Sequence, residues 1–185
     1  RAMLRAAAHG PIRILIPMVS TTSEVIRARE LLNKAADRLK RRRVRIPNPL
    51  PPLGIMIEVP GAAVAADALA RTSDFFAIGS NDLTMYTLAT DRSNEHVAHL
   101  FNPLHPAVLR LIQFATSAAL KARIPISICG EIAGDPRYLA LLIGLGLREL
   151  SMSPTSIPRV KQRIREIDAL AAATRANLIM DQTDS

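Results

Sequence analysis

Residues 75–92 read "FFAIGSNDLTMYTLATDR", and this stretch contains the unit from which the chain is built. An apolar run at 75–79 leads directly into Ser80, Asn81 and Asp82, and a segment with helical character follows. Continuous apolar runs of this length are typical of strands that are covered on both faces of a parallel sheet. The stretch therefore predicts a strand that passes into a helix, with a carboxamide and a carboxylate at the junction.

The same order of strand and helix recurs along the chain. The candidate strands are residues 12–19, 53–59, 75–80, 124–130 and 149–153. Repeated βα units indicate an α/β fold with a parallel sheet. The order fits an open five-stranded sheet or the later part of a (β/α)₈ barrel of the TIM type, since a complete barrel needs about 250 residues. The Pro-rich segment 45–53 is typical of a connector, so residues 1–185 are expected to form one domain without an internal boundary.

Local signals predict where the helices begin and end. The first helix is expected to end at Gly10. Each later helix is expected to begin at a recognisable signal. These signals are Thr21 with Glu24 as a capping box, Pro60, Pro106, Asp135-Pro136, Pro158 and Asp168. The helix that begins near Pro106 is expected to run to about Ala122, and the next one to end at Gly144 or Gly146.

Bulk properties exclude several classes of protein. The chain has 185 residues, of which 49% are hydrophobic, enough for one buried core. No run approaches the roughly 18 apolar residues of a membrane span, and residues 1–10 lack the apolar region of a secretory signal. One cysteine cannot form an internal disulfide, which suits the cytoplasm. The chain begins with Arg1 and opens in mid-pattern, so we expect it to be a piece of a longer protein.

The net charge is +8, and much of it lies in "LKRRRVR" at 39–45. A cluster of this kind could bind nucleic acid or an acidic partner. It could equally be a solvated helix C-terminus, where cations meet the negative end of the helix dipole. Aromatic residues make up only 3% of the chain, which favours the second interpretation, and we expect no nucleic-acid partner. The four histidines, His9, His96, His99 and His105, show no metal-binding spacing.

Polar residues collect where the predicted strands end. Glu58 ends the second strand, Asn81 and Asp82 follow the third, and Cys129 ends the fourth. In parallel α/β folds this edge of the sheet holds the active site. Glu58 and Asp82 could together hold Mg²⁺, which is commonly bound by one or two carboxylates and water. Alternatively, Glu58 pairs with a cation such as Arg13 on the neighbouring strand, and Asp82 only caps a helix.

The helix that follows Asn81 would also present free N–H groups to a phosphate. Arg92, about three turns further on, could contribute a guanidinium to that phosphate or form an ordinary surface ion pair. Cys129 could give a proton to a carbanion. A single buried cysteine is otherwise a small hydrophobic residue, and the residues alone leave both alternatives open.

Several long motifs together resemble a known family. They are "GIMIEVPGAA" at 54–63, "DFFAIGSNDLTMYTLATDRSN" at 74–94, "LFNPLHPAVLRLI" at 100–112, "ICGEIAGDP" at 128–136 and "LGLRELSMSPTSIPRVK" at 145–161. In this order they resemble the C-terminal domain of Enzyme I of the phosphoenolpyruvate:sugar phosphotransferase system. Phosphoenolpyruvate synthase and pyruvate phosphate dikinase share this domain type. The resemblance covers roughly residues 1–170.

The resemblance implies a (β/α)₈ barrel that binds phosphoenolpyruvate and Mg²⁺, transfers the phosphoryl group to a histidine and releases pyruvate. Glu58 and Asp82 match the metal carboxylates of the family, Asn81 a phosphate contact and Arg92 a phosphate-binding arginine. Cys129 matches the acid that protonates the enolate. Implied partners are the phosphocarrier protein HPr or a related carrier, and a second copy in a homodimer.

Two departures from the family pattern qualify this expectation. Met85 stands where the family usually has Gln, so a polar contact near the phosphate is lost or replaced. The chain also begins around the family's fourth barrel strand, without the first three strands and the acceptor-histidine region. We therefore expect the 185 residues alone to be inactive in phosphotransfer. The alternatives are a Mg²⁺-dependent barrel enzyme of the citrate lyase or aldolase type, and a non-catalytic assembly or regulatory module.

Overall fold

The computed structural model describes residues 1–91 and 93–181, so that Arg92, one of the predicted site residues, lies outside the described residues. The strands are β1 (Ile14–Ile16), β2 (Leu53–Ile57), β3 (Phe76–Gly79), β4 (Ile126–Cys129) and β5 (Glu149–Leu150). The α-helices are α1 (Ala2–Ala6), α2 (Thr22–Arg41), α3 (Pro60–Val64), α4 (Ala66–Leu69), α5 (Ser80–Leu88), α6 (Pro106–Ala122), α7 (Leu139–Gly144), α8 (Ile157–Ile164) and α9 (Ala169–Asp181). Short 3₁₀ turns lie at Ala98–Leu100 and Glu131–Gly134.

The five strands form one parallel sheet in the order β1-β2-β3-β4-β5, which confirms the predicted parallel α/β fold. Each strand is shorter than its apolar run. The first run extends over 12–19, but β1 ends at Ile16 because Pro17 has no N–H group to donate to the sheet.

Alternate residues of the central strands face two different environments. Ile55, Ile57, Phe76, Ile78 and Ile128 are fully buried in the main core, which α3, α4 and α6 also line. Because side chains alternate along a strand, Glu58 and Cys129 belong to the opposite face. On that face the strands lie close together: a Cβ on Gly54 would lie 2.6 Å from the Phe75 ring.

The predicted capping box at the start of α2 is confirmed. The Glu24 carboxylate accepts the Thr21 N–H at 2.8 Å, and Thr21 is the N-cap residue. The helix from Pro106 to Ala122 is also as predicted, with the His105 side chain accepting the Ala107 N–H at its start. The basic residues of 39–45 lie at the exposed end of α2, which ends at Arg41.

Some helix boundaries differ from the prediction. The fourth predicted helix begins at Leu139 rather than at Asp135, because the Asp135 carboxylate accepts the Arg137 N–H at 2.9 Å and fixes a turn before the helix. The helix after Pro60 is divided into α3 and α4 at Ala65. The first helix ends at Ala6, before the expected Gly10. Over residues 1–91 and 93–181, no helix has the length and hydrophobicity that a membrane crossing requires.

Candidate functional site

Glu58, directly after β2, is a buried carboxylate with 3% of its surface exposed. Its Oε1 accepts the backbone N–H of Met18 at 2.7 Å, a residue just beyond the end of β1. The alternative that Arg13 pairs with Glu58 is wrong, since Arg13 pairs with Glu149 at 3.4 Å. Among the described residues no cation forms an ion pair with Glu58. A backbone N–H group therefore holds this carboxylate in place.

Gly79, the last residue of β3, provides the space for the Glu58 carboxylate. A Cβ at this position would lie 2.9 Å from Glu58 Oε2 and 3.0 Å from Met56 Sδ. Any larger residue would push the carboxylate or the thioether away. The absence of a side chain at the end of β3 thus fixes where the carboxylate at the end of β2 can lie.

Asp82 lies in the first turn of α5, whose N-cap is Gly79. The alternative that Asp82 caps this helix is wrong, because the helix begins two residues earlier, at Ser80, directly after β3. Burial raises the pKa of Glu58 above its usual value, the Met18 hydrogen bond opposes this shift, and the charge and hydrogen bonding of Asp82 raise it further. Two neighbouring carboxyl groups of this kind favour a bound cation or a shared proton.

The carboxyl pair fits a magnesium ion. Mg²⁺ is commonly held by one or two carboxylates and keeps several waters or substrate oxygens. Within the described part of the chain, no cluster of three or more histidine, cysteine, aspartate or glutamate side chains could hold a metal ion. A site formed by Glu58 and Asp82 would therefore supply two protein ligands to the metal ion. Its remaining coordination positions would be open to water or to a phosphate.

Cys129, the last residue of β4, lies beside Gly79 in the sheet register and is partly buried. Its Sγ donates a hydrogen bond to the Ile78 carbonyl oxygen, with an S···O distance of 3.4 Å. Burial raises the pKa of the Cys129 thiol, and the negative charges of Glu58 and Asp82 raise it further. Both effects disfavour the thiolate, which is the nucleophilic form of cysteine, and keep the proton on Sγ.

Asn81 joins the start of α5 to the segment after β4. Its Oδ1 accepts the Glu131 N–H at 3.3 Å. With the oxygen engaged in this way, the amide nitrogen is the group that Asn81 can offer to a ligand. An anion such as a phosphate would accept a hydrogen bond from it.

A cavity of about 770 Å³ opens beside Asn81 and Cys129. The Asp135 carboxylate, which lines the cavity, binds the Arg137 guanidinium at 2.6 Å, and this contact holds the pKa of Asp135 below its ordinary value. The cavity is also lined by Gly130, Glu131, Gly134, Pro136, Ser151, Met152, Ser153, Ser156 and Arg159. It is large enough for a small phosphorylated acid.

The structure thus brings Glu58, Asp82, Asn81 and Cys129 to one edge of the sheet, while Arg92 lies outside the described residues. The contribution of Met18 was not predicted from the sequence. The end of the first strand lies at the same edge and could have been considered, but its donor is a backbone N–H, which leaves no trace in the pattern of side chains.

The chain is similar to several known proteins. The family model described as "PEP-utilising enzyme, PEP-binding domain" matches residues 1–169. A phosphoenolpyruvate-protein phosphotransferase of Cupriavidus necator is 48% identical over 89% of this chain and 28% of its own length. One from Enterococcus faecalis is 41% identical over 100% of this chain and 32% of its own length. The chain therefore spans about a third of these relatives or less.

Solved structures with a similar fold come from more distant proteins. A citrate lyase from Burkholderia xenovorans has a TM-score of 0.62 and 19% identity, with 95% of this chain and 58% of that one covered. A citrate lyase beta subunit from M. tuberculosis, complexed with oxaloacetate and magnesium, has a TM-score of 0.55 and 14% identity, with 83% and 61% covered. These likenesses concern the fold alone and confirm the predicted barrel type. In the described residues the sheet has five strands and is open between β1 and β5.

Proposed function

Since the chain belongs to the family of PEP-utilising enzymes, as its motifs indicated, we propose that it is the phosphoenolpyruvate- and Mg²⁺-binding part of a phosphoenolpyruvate-protein phosphotransferase. The observation that carries this proposal is the buried Glu58 carboxylate beside Asp82, at the same sheet edge as the Cys129 thiol. Identities of 41–48% to proteins of that name over most of the chain support it.

Glu58 and Asp82 would hold the metal ion. When bound, Mg²⁺ would stabilise negative charge on the phosphate and on the enolate. A magnesium ion is also named in the structure of the M. tuberculosis citrate lyase beta subunit, which has a similar fold. The Met18 N–H and the missing side chain of Gly79 orient the Glu58 carboxylate before any ligand arrives.

The phosphate would lie against the first turn of α5. Asn81 would donate its amide N–H to it, and free backbone N–H groups at this helix start would add further donors. Arg92, from its match to the family motif, would contribute a guanidinium. Donors arranged in this way stabilise charge that develops as the phosphoryl group leaves.

The proposed reaction breaks the bond between phosphorus and the enol oxygen of phosphoenolpyruvate. The phosphoryl group passes to a histidine nitrogen of the parent protein, and the electron pair stays on the enol oxygen. This electron pair then forms the ketone C=O bond of pyruvate, while the methylene carbon takes the proton of the Cys129 thiol. The thiolate then recovers a proton from water. The raised pKa of Cys129 keeps this proton in place beforehand.

The parent protein would have two kinds of partner, a phosphocarrier protein and a second copy of itself. The phosphohistidine would pass its phosphoryl group to HPr or to a related phosphocarrier, and the protein would form a homodimer. We propose the cytoplasm as its location, where an unpaired thiol such as Cys129 stays reduced.

Calorimetric titration of phosphoenolpyruvate into the 185-residue chain, with and without Mg²⁺, tests the proposal. Wild-type protein should show Mg²⁺-dependent binding, and Glu58→Gln should abolish it. Glu149→Gln is the matched control, because Glu149 is an exposed carboxylate of the same sheet that pairs with Arg13. A folded wild-type chain that binds no phosphoenolpyruvate would contradict the proposal that these residues form the site.

The citrate lyase or aldolase alternative would use the same two carboxylates at the strand ends, Glu58 and Asp82, and those enzymes have a similar fold. Their identity to this chain is 14–19%, which supports a shared fold only. Cleavage of a hydroxyacid by the chain, with no binding of phosphoenolpyruvate, would favour a lyase. Binding of neither ligand would favour a non-catalytic module.

A further inference from the structure

The Ser80 hydroxyl is buried, with 1% of the residue exposed, and it contacts the backbone of Cys129. Ser80 Oγ donates a hydrogen bond to the Cys129 carbonyl oxygen at 2.7 Å. Ser80 is the first residue of α5, whereas Cys129 ends β4, so this bond joins the ends of two neighbouring strands. A buried hydroxyl that donates to the main chain of a reactive residue determines where that residue can lie.

Gly130 is shaped to admit this hydroxyl. A Cβ at Gly130 would lie 2.2 Å from Ser80 Oγ and 2.9 Å from Asn81 Oδ1. Its φ of 107° also lies in a region that side-chain-bearing residues rarely adopt. The backbone next to Cys129 thus takes a conformation that only glycine accepts readily, and the space this opens is occupied by the Ser80 side chain.

The segment is held on both sides of Gly130. The carbonyl of residue 129 accepts from Ser80, and the N–H of Glu131 donates to Asn81 at 3.3 Å. The Cys129 thiol itself donates to the Ile78 carbonyl oxygen. The first two residues of α5 therefore hold the peptide groups on either side of Gly130, and with the backbone in this position the thiol reaches the Ile78 carbonyl oxygen.

We infer that Ser80 is a positioning residue for the proton donor Cys129, holding its backbone so that the thiol keeps one orientation at the substrate cavity. This inference rests on the proposed function, because a fixed thiol direction matters only if the thiol gives up its proton to a bound enolate. The Ser80 hydroxyl uses its hydrogen for the Cys129 carbonyl oxygen, so the effect of this side chain on the reaction is indirect. It acts through the Cys129 carbonyl, which would be left without this donor in a Ser80→Ala variant.

The S–H stretching band in the infrared spectrum tests the inference, because Cys129 is the one cysteine of the chain and gives a single band. A hydrogen-bonded S–H group absorbs at lower wavenumber than a free one. In Ser80→Ala the band should move to higher wavenumber, since the thiol loses its fixed contact with Ile78. Thr116→Val is the matched control: Thr116 is equally buried and its hydroxyl donates to the Ile112 carbonyl at 2.8 Å within α6.

The inference is overturned if folded Ser80→Ala keeps the wild-type band, or if Thr116→Val shifts the band equally. Gly130→Ala provides a second variant should Ser80→Ala not fold. It retains Ser80 but crowds its hydroxyl, and it should move the band in the same direction; an unchanged band would count against the inference. Thermal unfolding of each variant shows that it is folded when the band is recorded.

The infrared result is independent of ligand binding, so the two proposals can fail separately. A shifted band in a chain that binds no phosphoenolpyruvate would support the effect of Ser80 on the orientation of the thiol but contradict the proposed function. Mg²⁺-dependent binding of phosphoenolpyruvate, together with an unchanged band in Ser80→Ala, would support the proposed function and contradict the positioning role of Ser80.

Discussion

Arg13 Nη1 lies 3.4 Å from Glu149 Oε2, although Arg13 precedes the first strand of the sheet and Glu149 begins the last. Neighbouring strands are spaced by about 4.8 Å, so a flat sheet would separate β1 from β5 by roughly 19 Å. The two side chains can meet because the sheet is strongly curved. The same curvature makes the face that carries Glu58 and Cys129 concave, as the wall of a barrel is.

Because both partners of this ion pair are about half exposed, we expect a weak coupling. The exposed fraction is 52% for each side chain. A double-mutant cycle of Arg13→Gln and Glu149→Gln should give a coupling free energy of about 0.2–1 kcal/mol in low salt, and less in high salt. Chemical denaturation of the four proteins measures it. A coupling that is absent in low salt would contradict the expected interaction between these two side chains in solution.

Replacing Glu58 by Gln should stabilise the metal-free protein at neutral pH. The pKa of Glu58 is raised in the folded state, so its ionisation opposes folding. The contribution of protonated Glu58 to the free energy of unfolding is complete below the unfolded-state pKa. It is lost as the pH rises through the folded-state pKa. The stability difference between Glu58→Gln and wild type should therefore grow with pH over that interval. Thermal unfolding across pH measures it.

Magnesium should reverse this order of stability. Since Mg²⁺ would bind only the folded wild-type site, it should raise the melting temperature of the wild type and leave that of Glu58→Gln unchanged. Glu149→Gln should respond to Mg²⁺ as the wild type does. Equal responses of wild type and Glu58→Gln would place the metal elsewhere.

Gly79→Ala should damage the metal site while the fold is retained. The new Cβ would lie 2.9 Å from Glu58 Oε2, so the carboxylate has to leave its present position. We expect a loss of about 1–3 kcal/mol of stability from overpacking, together with weaker Mg²⁺ binding. Gly61→Ala is the control, since nothing lies within 4 Å of its Cβ and it lies in α3. Calorimetry with Mg²⁺ distinguishes the two, and equal affinities would contradict the crowding at Gly79.

Alkylation of Cys129 should report the charges of the site. Burial, Glu58 and Asp82 all raise the pKa of the thiol, so the fraction of reactive thiolate should reach its midpoint at a higher pH than in the unfolded chain. In Glu58→Gln this midpoint should move down, because one negative charge is removed. The rate of reaction with iodoacetamide as a function of pH measures both. A midpoint that does not move would show that Glu58 is too distant or too well screened to act on the thiol.

Much of the fold could be predicted from local signals. The capping box at Thr21, the helix start at Pro106 and the continuous apolar runs each involve residues close together in sequence. The start of α5 at Ser80 was not among these predictions. Helix formation there begins directly at the end of β3, where Ser80 and Asn81 form contacts with residues that lie some fifty positions away.

Three properties could be predicted from the residues alone: the order of βα units, the edge of the sheet at which polar groups collect, and the family. These properties depend on hydrophobic periodicity and on motifs of side chains, which are local. Three contacts became visible only in the folded chain: Met18 holds Glu58, Gly79 leaves space for it, and Ser80 binds the carbonyl of Cys129. These contacts join strands far apart in sequence and use backbone groups or the absence of a side chain, so their existence depends on how the curved sheet brings the strand ends together.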